Sequence, residues 1–80
     1  ASGEINSRVA DPDAVMTAVS SAYPSATQDR VDGLTVDLGD WWFNLRPSNT
    51  EPLLRLNLEA ANDEDCFRHT KEVLSLIEAH

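Results

Sequence analysis

The chain has little of what secreted, membrane and nucleic-acid-binding proteins need. It has one cysteine, so no internal disulfide can form and a reducing cytoplasm is the expected location. No apolar run approaches the length of a signal-peptide core or a membrane span. Only 6 Lys and Arg residues oppose 14 Asp and Glu, and the net charge is −8. Because nucleic acids and anionic membranes bind to clustered cations, we expect neither as a partner.

The length and the first residues bound the domain organisation. Eighty residues allow one small domain with a modest core, and a 41% hydrophobic content is ordinary for such a domain. The sequence begins Ala1-Ser2-Gly3 without Met and enters a predicted strand almost at once. We therefore expect residues 1–80 to be a single domain excised from a larger protein, although a processed small protein would look the same.

Hydrophobic periodicity predicts five strands and two helices. The first helix follows the N-cap Asp11, has Pro12 at its first position, and ends before Pro24. The second follows Asn62, and its acidic first turn suits the helix dipole. The predicted strands are Glu4–Val9, Thr27–Val31, Leu34–Leu38, Trp41–Leu45 and Leu53–Glu59. The predicted order is therefore β-α-β4-α.

The turns and helices together predict an α+β fold. Asp32-Gly33 and Gly39-Asp40 are typical of two-residue hairpin turns, so the strands they join should be antiparallel. Two helices with one apolar stripe each can cover only one face of the sheet. In the fourth strand we expect the helices to cover Trp41, Phe43 and Leu45, leaving Trp42, Asn44 and Arg46 on the open face.

The second helix carries three further expectations. We predict that Cys66 is a small buried residue and that His69 is solvated near the polar side of the helix. The predicted apolar stripe consists of Phe67, Thr70, Val73, Leu74 and Ile77.

The loop Arg46-Pro47-Ser48-Asn49-Thr50-Glu51-Pro52 is the strongest candidate for a binding site. Arg46 offers a planar fork for two phosphate oxygens, and Ser48 and Thr50 offer hydroxyl donors. Asn49 tolerates a left-handed backbone, which can gather N–H groups into an anion-binding concavity. A plain surface loop can have a similar composition. An arginine at the strand end and a loop longer than a hairpin needs favour a phosphate.

The segment Arg46-Pro-Ser-Asn-Thr-Glu-Pro-Leu-Leu-Arg, continuing to Glu59-Ala60, resembles the phosphate-binding loop of the α-D-phosphohexomutases. That loop lies in domain 4, the C-terminal domain, and the Asp32-Gly33 and Trp41-Trp42 pairs fit the same domain. The resemblance covers essentially the whole chain and implies a TATA-binding-protein-like fold. Asn49 resembles the phosphomannomutase/phosphoglucomutase branch, since the alternative phosphoglucosamine mutase branch usually has glycine there.

The resemblance also implies a role. Such enzymes interconvert hexose 1-phosphate and 6-phosphate through a bisphosphate, using a phosphoserine in the first domain and a magnesium ion on an Asp-rich loop. Arg46, Ser48, Asn49 and Thr50 match the positions that hold the phosphate that is not reacting. The chain lacks the serine, metal and sugar loops. It should therefore contain no catalytic residue, metal or cofactor, and its partners should be a hexose phosphate and the other three domains.

Two residues could support this loop, and one competing function stays open. Glu51 and Arg55 are possible supporting residues, and we expect Arg55 to brace the loop by pairing with Glu51 or Glu59. The competing reading is a free-standing module that binds a partner, such as nucleic acid, on its open sheet face. Mixed charges on that face, where acidic Glu4 and Asp37 interrupt the arginines, speak against nucleic acid.

Overall fold

The computed structural model describes residues 1–80 and confirms the predicted α+β architecture and element order. All neighbouring strands are antiparallel, in the sheet order β1-β5-β4-β3-β2. No helix is both long enough and apolar enough to cross a bilayer. The elements are β1 (Ile5–Arg8), α1 (Pro12–Ser21), β2 (Thr27–Asp29), β3 (Leu34–Asp37), β4 (Trp42–Pro47), β5 (Leu53–Glu59) and α2 (Asp63–Glu78).

The core lies on one face of the sheet, as the alternation predicts. Leu45 in β4 pairs with Leu34 on one side and with Leu56 on the other. Phe43 is likewise flanked by Val36 and Leu58. All of these side chains are buried and belong to the same hydrophobic cluster as the apolar residues of α1 and α2. Each such burial contributes about 1.5–3 kcal/mol, so the register of the three central strands is strongly specified.

Both helices begin where their capping residues predict. The Asp11 carboxylate accepts a hydrogen bond from the Ala14 N–H at 3.2 Å, and the Asn62 side chain accepts one from the Asp65 N–H at 2.8 Å. These contacts satisfy backbone donors that the first helical turn leaves without partners.

The buried stripe of α2 differs from the predicted one at its first position. Cys66 is buried, as expected, and continues the stripe formed by Thr70, Val73 and Ile77. Phe67 was wrongly placed in the core: it is 67% exposed, and the Lys71 ammonium lies 5.2 Å from its ring centre. Cys66 is four residues before Thr70 and takes the inward position, which turns Phe67 toward solvent.

The two glycine turns behave differently. Gly39 has φ 95°, and the Leu38 N–H donates to the Trp41 carbonyl at 2.9 Å, so the tight turn at Gly39-Asp40 is as predicted. The two-residue turn at Asp32-Gly33 was wrong, because the last paired residues before it are Asp29 and Thr35. The Asp29 carboxylate accepts from the Val31 N–H at 3.2 Å, and β2 ends at Asp29 rather than at Val31. A longer loop therefore carries Asp32 and Gly33.

His69 is part of an aromatic cluster, contrary to the expectation that it is solvated. Its side chain is only 14% exposed, and its ring stacks on Trp41 with 3.9 Å between the ring centres. The Glu72 carboxylate approaches His69 Nδ1 at 3.3 Å and accepts from the Tyr23 hydroxyl at 2.6 Å. Glu72 thus connects α2 to the segment after α1. The indole that covers His69 comes from a distant part of the chain, so helical spacing alone could not show it.

This cluster predicts a dependence of stability on alkaline pH. Burial, followed by the hydrogen bond to Glu72, raises the pKa of the Tyr23 hydroxyl above its ordinary value of about 10. The folded chain then keeps a proton that the unfolded chain releases. The contribution of Tyr23 to the free energy of unfolding is therefore complete below pH 10 and declines as the pH rises above it.

Urea unfolding of the wild type and of Tyr23→Phe between pH 7 and pH 11 tests this. The variant should be less stable by about 1 kcal/mol at pH 7, because it loses the hydrogen bond. It should also lose part of the alkaline slope. Tyr23 is the only tyrosine, so an equal slope in both proteins would contradict the prediction.

Candidate phosphate-binding site

Arg46 is positioned by the alternation of β4. Leu45 before it is fully buried, so Arg46 projects from the open face, where its side chain is 47% exposed. Across the ladder it stands directly opposite Arg55 of β5. Like charges at facing positions are unfavourable, and an anion bound near both guanidinium groups would relieve that repulsion. The sheet register therefore places two guanidinium groups side by side at the base of the loop, each with a carboxylate partner of its own.

The loop from Ser48 to Pro52 is held at both ends by backbone hydrogen bonds. The Ser48 N–H donates to the Leu53 carbonyl at 3.0 Å, and the Leu53 N–H donates to the Glu51 carbonyl at 2.9 Å. The Val9 N–H, after β1, donates to the Pro52 carbonyl at 3.0 Å. Leu53 is buried, although Arg55 and Asn57, which lie on the same face of β5, are only partly buried. The loop is therefore a defined turn of the chain, supported by β1.

Inside the loop, the Ser48 hydroxyl organises the backbone. Its oxygen accepts from the N–H groups of Thr50 and Glu51, each at 3.3 Å. With its oxygen accepting two bonds, the hydroxyl hydrogen is left to donate, and the Thr50 hydroxyl lies 3.5 Å away. Asn49 does not adopt the left-handed backbone that asparagine tolerates, because no residue other than glycine has a positive φ. The N–H groups of Thr50 and Glu51 turn toward Ser48 instead of forming a concavity around Asn49.

A polar cleft of 370 Å³ lies beside the loop, with five lining residues. Two of the predicted site residues, Arg46 and Asn49, line it, whereas Ser48 and Thr50 do not. Pro47, Asp32 and Gly33 complete the lining, so the proline ring is the only apolar side chain at the cleft. Its size lies in the range of small-molecule sites, and its lining suits a hydrophilic anion rather than an apolar ligand.

Asp32 lines the cleft and pairs with Arg46, which the sequence analysis did not predict. Its carboxylate accepts from Arg46 Nη1 at 3.0 Å, and its backbone carbonyl accepts from the Asn44 side-chain amide at 2.8 Å. In the sequence the Asp-Gly pair indicates only a turn, and nothing in its spacing points to Arg46. Only the register of β3 against β4 brings it beside Arg46.

The expected bracing partners of Arg55 were wrong. Arg55 lies 3.5 Å from the Glu4 carboxylate, whereas Glu51 pairs with Arg8 at 2.9 Å. Glu59 lies 3.7 Å from the amino group of Ala1. The reason is the sheet order, which puts β1 next to β5 and brings its charged side chains close to these residues. Glu51 therefore braces the loop through Arg8 of β1, and Arg55 lies beside Arg46 on the open face, paired with Glu4.

A second, larger cleft of 440 Å³ lies elsewhere, between the first residues and α2. Its lining is mostly apolar and includes Ile5, Phe67 and Leu74. It contains none of the predicted site residues. Since phosphate requires converging donors, the smaller polar cleft is the better candidate for an anion.

Comparison with known proteins shows the family of the chain. Residues 4–75 match the family model described as "Phosphoglucomutase/phosphomannomutase, C-terminal domain". The chain belongs to the phosphoglucomutase/phosphomannomutase family, and within that family it corresponds to the C-terminal domain.

Individual relatives carry corresponding names. A phosphomannomutase of Salmonella montevideo is 49% identical over 80 residues, covering 96% of this chain and 18% of the relative. A phosphomannomutase of Methanocaldococcus jannaschii is 43% identical, covering 95% of this chain and 17% of the relative. A protein named "Phosphohexose mutases" from Xanthomonas campestris is 46% identical, covering 95% and 18%. The chain thus spans less than a fifth of the length of these relatives.

Substitution of Gly33, which lines the cleft, can be compared with substitution of Gly39, which does not, to test how closely Gly33 packs against β4. Gly33 has φ +68°, and a Cβ there would lie 2.4 Å from the Leu45 carbonyl oxygen. Gly33→Ala should therefore lower the free energy of unfolding by about 2 kcal/mol or more. Gly39→Ala also meets an unfavourable φ, but nothing lies within 4 Å, so its cost should be about 1 kcal/mol. Urea unfolding of both variants measures the difference. Equal costs would contradict the close packing of Gly33 against β4.

Proposed function

We propose that this chain binds the non-reacting phosphate of a hexose phosphate within a phosphomannomutase/phosphoglucomutase. The observation that carries the proposal is the polar cleft, where Arg46 emerges from the open sheet face beside Asn49. A guanidinium is charged at any working pH and can pair two phosphate oxygens at once.

The neighbouring groups complete a set of donors for an oxyanion. The Ser48 oxygen accepts from two backbone N–H groups, so its hydroxyl hydrogen can donate either to the Thr50 hydroxyl, 3.5 Å away, or to a bound oxyanion. Asn49 provides a side-chain amide and a backbone N–H that donates to no group of the chain. Thr50 adds a second hydroxyl. Arg55, opposite Arg46, adds a second positive charge to the same face.

The parent enzyme interconverts hexose 1-phosphate and hexose 6-phosphate through a bisphosphate intermediate. This chain holds the distal phosphate, while the phosphoserine and the sugar-binding groups belong to the other three domains. The relatives named phosphomannomutase favour this branch over a phosphoglucosamine mutase. The free, buried Cys66 suits a reducing cytoplasm.

The residues of this chain do not fit a magnesium site. No group of three or more His, Cys, Asp or Glu side chains is placed to hold a metal ion. The magnesium that the resemblance implies is therefore a prediction about the rest of the parent enzyme, and no step of binding by this chain depends on it.

The first test is a titration of the 80-residue chain with mannose 1-phosphate, in which NMR chemical shifts of the backbone amides report binding. Fewer than five hydrogen bonds must offset the cost of association, so we expect millimolar affinity, about −4 kcal/mol. Shifts should centre on residues 46–50. A parallel titration with an oligonucleotide should produce no saturable shifts, because a chain with a net charge of −8 offers an extended polyanion no cluster of cations. Oligonucleotide binding on the open face would favour the interaction module instead, and phosphate shifts centred on α2 would contradict the loop assignment.

The second test replaces Arg46 in an intact enzyme that carries this chain. Arg46→Ala should lower kcat/KM by a factor that corresponds to about 2–4 kcal/mol, since a charge-assisted contact to phosphate is lost. Arg46→Lys should recover only part of the loss, because an ammonium cannot reproduce the planar fork.

The matched control is Arg68→Ala, which removes the same charge from an exposed position on α2. It should leave kcat/KM unchanged, and both variants should fold, because Arg46 and Arg68 are exposed. Wild-type kinetics in Arg46→Ala would overturn the assignment of the site.

A further inference from the structure

We propose that the Asp32-Gly33 turn positions the Arg46 guanidinium for its anion, and that Asp32 is a positioning residue rather than a competitor for that arginine. The inference rests on the proposed function and names a residue that the loop motif does not contain. It is carried by two contacts on the Arg46 side chain and by a third that holds the turn itself.

The first contact holds the head of the side chain. Asp32 Oδ2 accepts one hydrogen bond, from Arg46 Nη1 at 3.0 Å, and no second oxygen–nitrogen bond joins the pair. A guanidinium has five N–H donors, so this single bond restrains the position of the group and leaves most of its donors free. A bidentate carboxylate would have occupied a whole edge of the fork.

The second contact holds the aliphatic stem. A Cβ built on Gly33 would lie 2.6 Å from Arg46 Cγ and 3.2 Å from Arg46 Cα. The main chain of the turn is therefore pressed directly against the first carbons of the arginine, an approach that only glycine permits here. The stem is confined by the backbone of Gly33 and the head by the carboxylate of Asp32.

The third contact fixes the turn itself. The Asn44 amide donates to the Asp32 carbonyl at 2.8 Å and to the Thr35 hydroxyl at 3.1 Å. Asn44 and Arg46 lie on the same face of β4, two residues apart. The strand that carries the arginine thus also anchors the turn that orients it.

The ordering of Arg46 by these contacts should raise the affinity for phosphate, whereas the negative charge of Asp32 by itself should lower it. A free arginine loses substantial rotamer freedom when it binds, so fixing it beforehand favours binding. The Asp32 carboxylate also repels an incoming phosphate, but it is 76% exposed, and water and salt screen that repulsion. We therefore expect that removing the negative charge of Asp32 weakens phosphate binding, where electrostatics alone would strengthen it.

The experiment compares Asp32→Ala with Asp40→Ala in the 80-residue chain. Each change removes one carboxylate next to a turn glycine: Asp32 precedes Gly33, and Asp40 follows Gly39. Asp32 pairs with Arg46, whereas no hydrogen bond or ion pair joins Asp40 to Arg46. Titrations use inorganic phosphate and mannose 1-phosphate. Asp32→Ala should raise both dissociation constants about three- to tenfold, the range expected for ordering one flexible side chain, and Asp40→Ala should leave them nearly unchanged. Asp32→Asn, which retains an acceptor oxygen, should recover part of the affinity.

A spectroscopic readout separates positioning from general damage. The ¹⁵N relaxation of the Arg46 Nε–H, recorded without any anion, should report a more mobile side chain in Asp32→Ala than in the wild type or in Asp40→Ala. The amide spectrum of β3, β4 and β5 should be unchanged in all three proteins.

The outcomes distinguish the two proposals. If Asp32→Ala binds phosphate as tightly as Asp40→Ala, or more tightly, Asp32 is a bystander or a competitor and the positioning role is wrong. The proposed function then still stands, provided that the wild type binds and Arg46→Ala does not. If the wild type shows no phosphate-dependent shifts at residues 46–50, the proposed function is overturned and the positioning role falls with it.

Discussion

Burial of one face of the sheet against two helices is the constraint on which the rest of the structure depends. The central strands can bury their apolar side chains on only one side, and the strict alternation of a strand then sends every other residue to the open side. Leu45 is completely buried, so Arg46 must face outward. A shift of one residue in β4 would bury the guanidinium and expose the leucine, at a cost of several kcal/mol. The position of the candidate site is thus a direct consequence of the packing of the core.

The same alternation also places three arginines on the open face, and their carboxylate partners set the electric field there. Arg8, Arg46 and Arg55 each have a carboxylate partner, and all three pairs are largely exposed. Exposed pairs contribute about 0–1 kcal/mol to stability, so they are too weak to explain the fold. Their effect is on the local field: a chain with a net charge of −8 presents individual guanidinium groups rather than a continuous basic surface. A small anion that fits the cleft can use such groups, whereas an extended polyanion finds alternating charges.

The sequence predicts the features that depend on residues close together in the chain better than those that depend on residues far apart in it. Strand alternation, the caps Asp11 and Asn62, and the loop of polar donors are local, and each appears where its spacing predicts it. Apart from the predicted two-residue turn at Asp32-Gly33, which is local, the errors concern contacts between distant parts of the chain. Asp32 reaches Arg46 through the pairing of β3 with β4, and His69 is covered by Trp41 across the sheet–helix interface. The register could not be read from periodicity, so the side-chain partners that it creates were missed. Phe67 was misplaced because periodicity alone does not decide whether Cys66 or Phe67 begins the buried stripe of α2. That depends on which of the two packs against the sheet.

The adjacent tryptophans have an optical consequence. Trp41 is buried and stacked on an imidazole, whereas Trp42, the next residue, is 42% exposed on the open face. One indole is therefore sensitive to the integrity of the core and the other to whatever covers the sheet. Their emission should differ in wavelength and in accessibility to a dissolved quencher, because one ring is shielded from water and the other is not. A single fluorescence spectrum of this domain thus contains two signals, one for each face of the sheet.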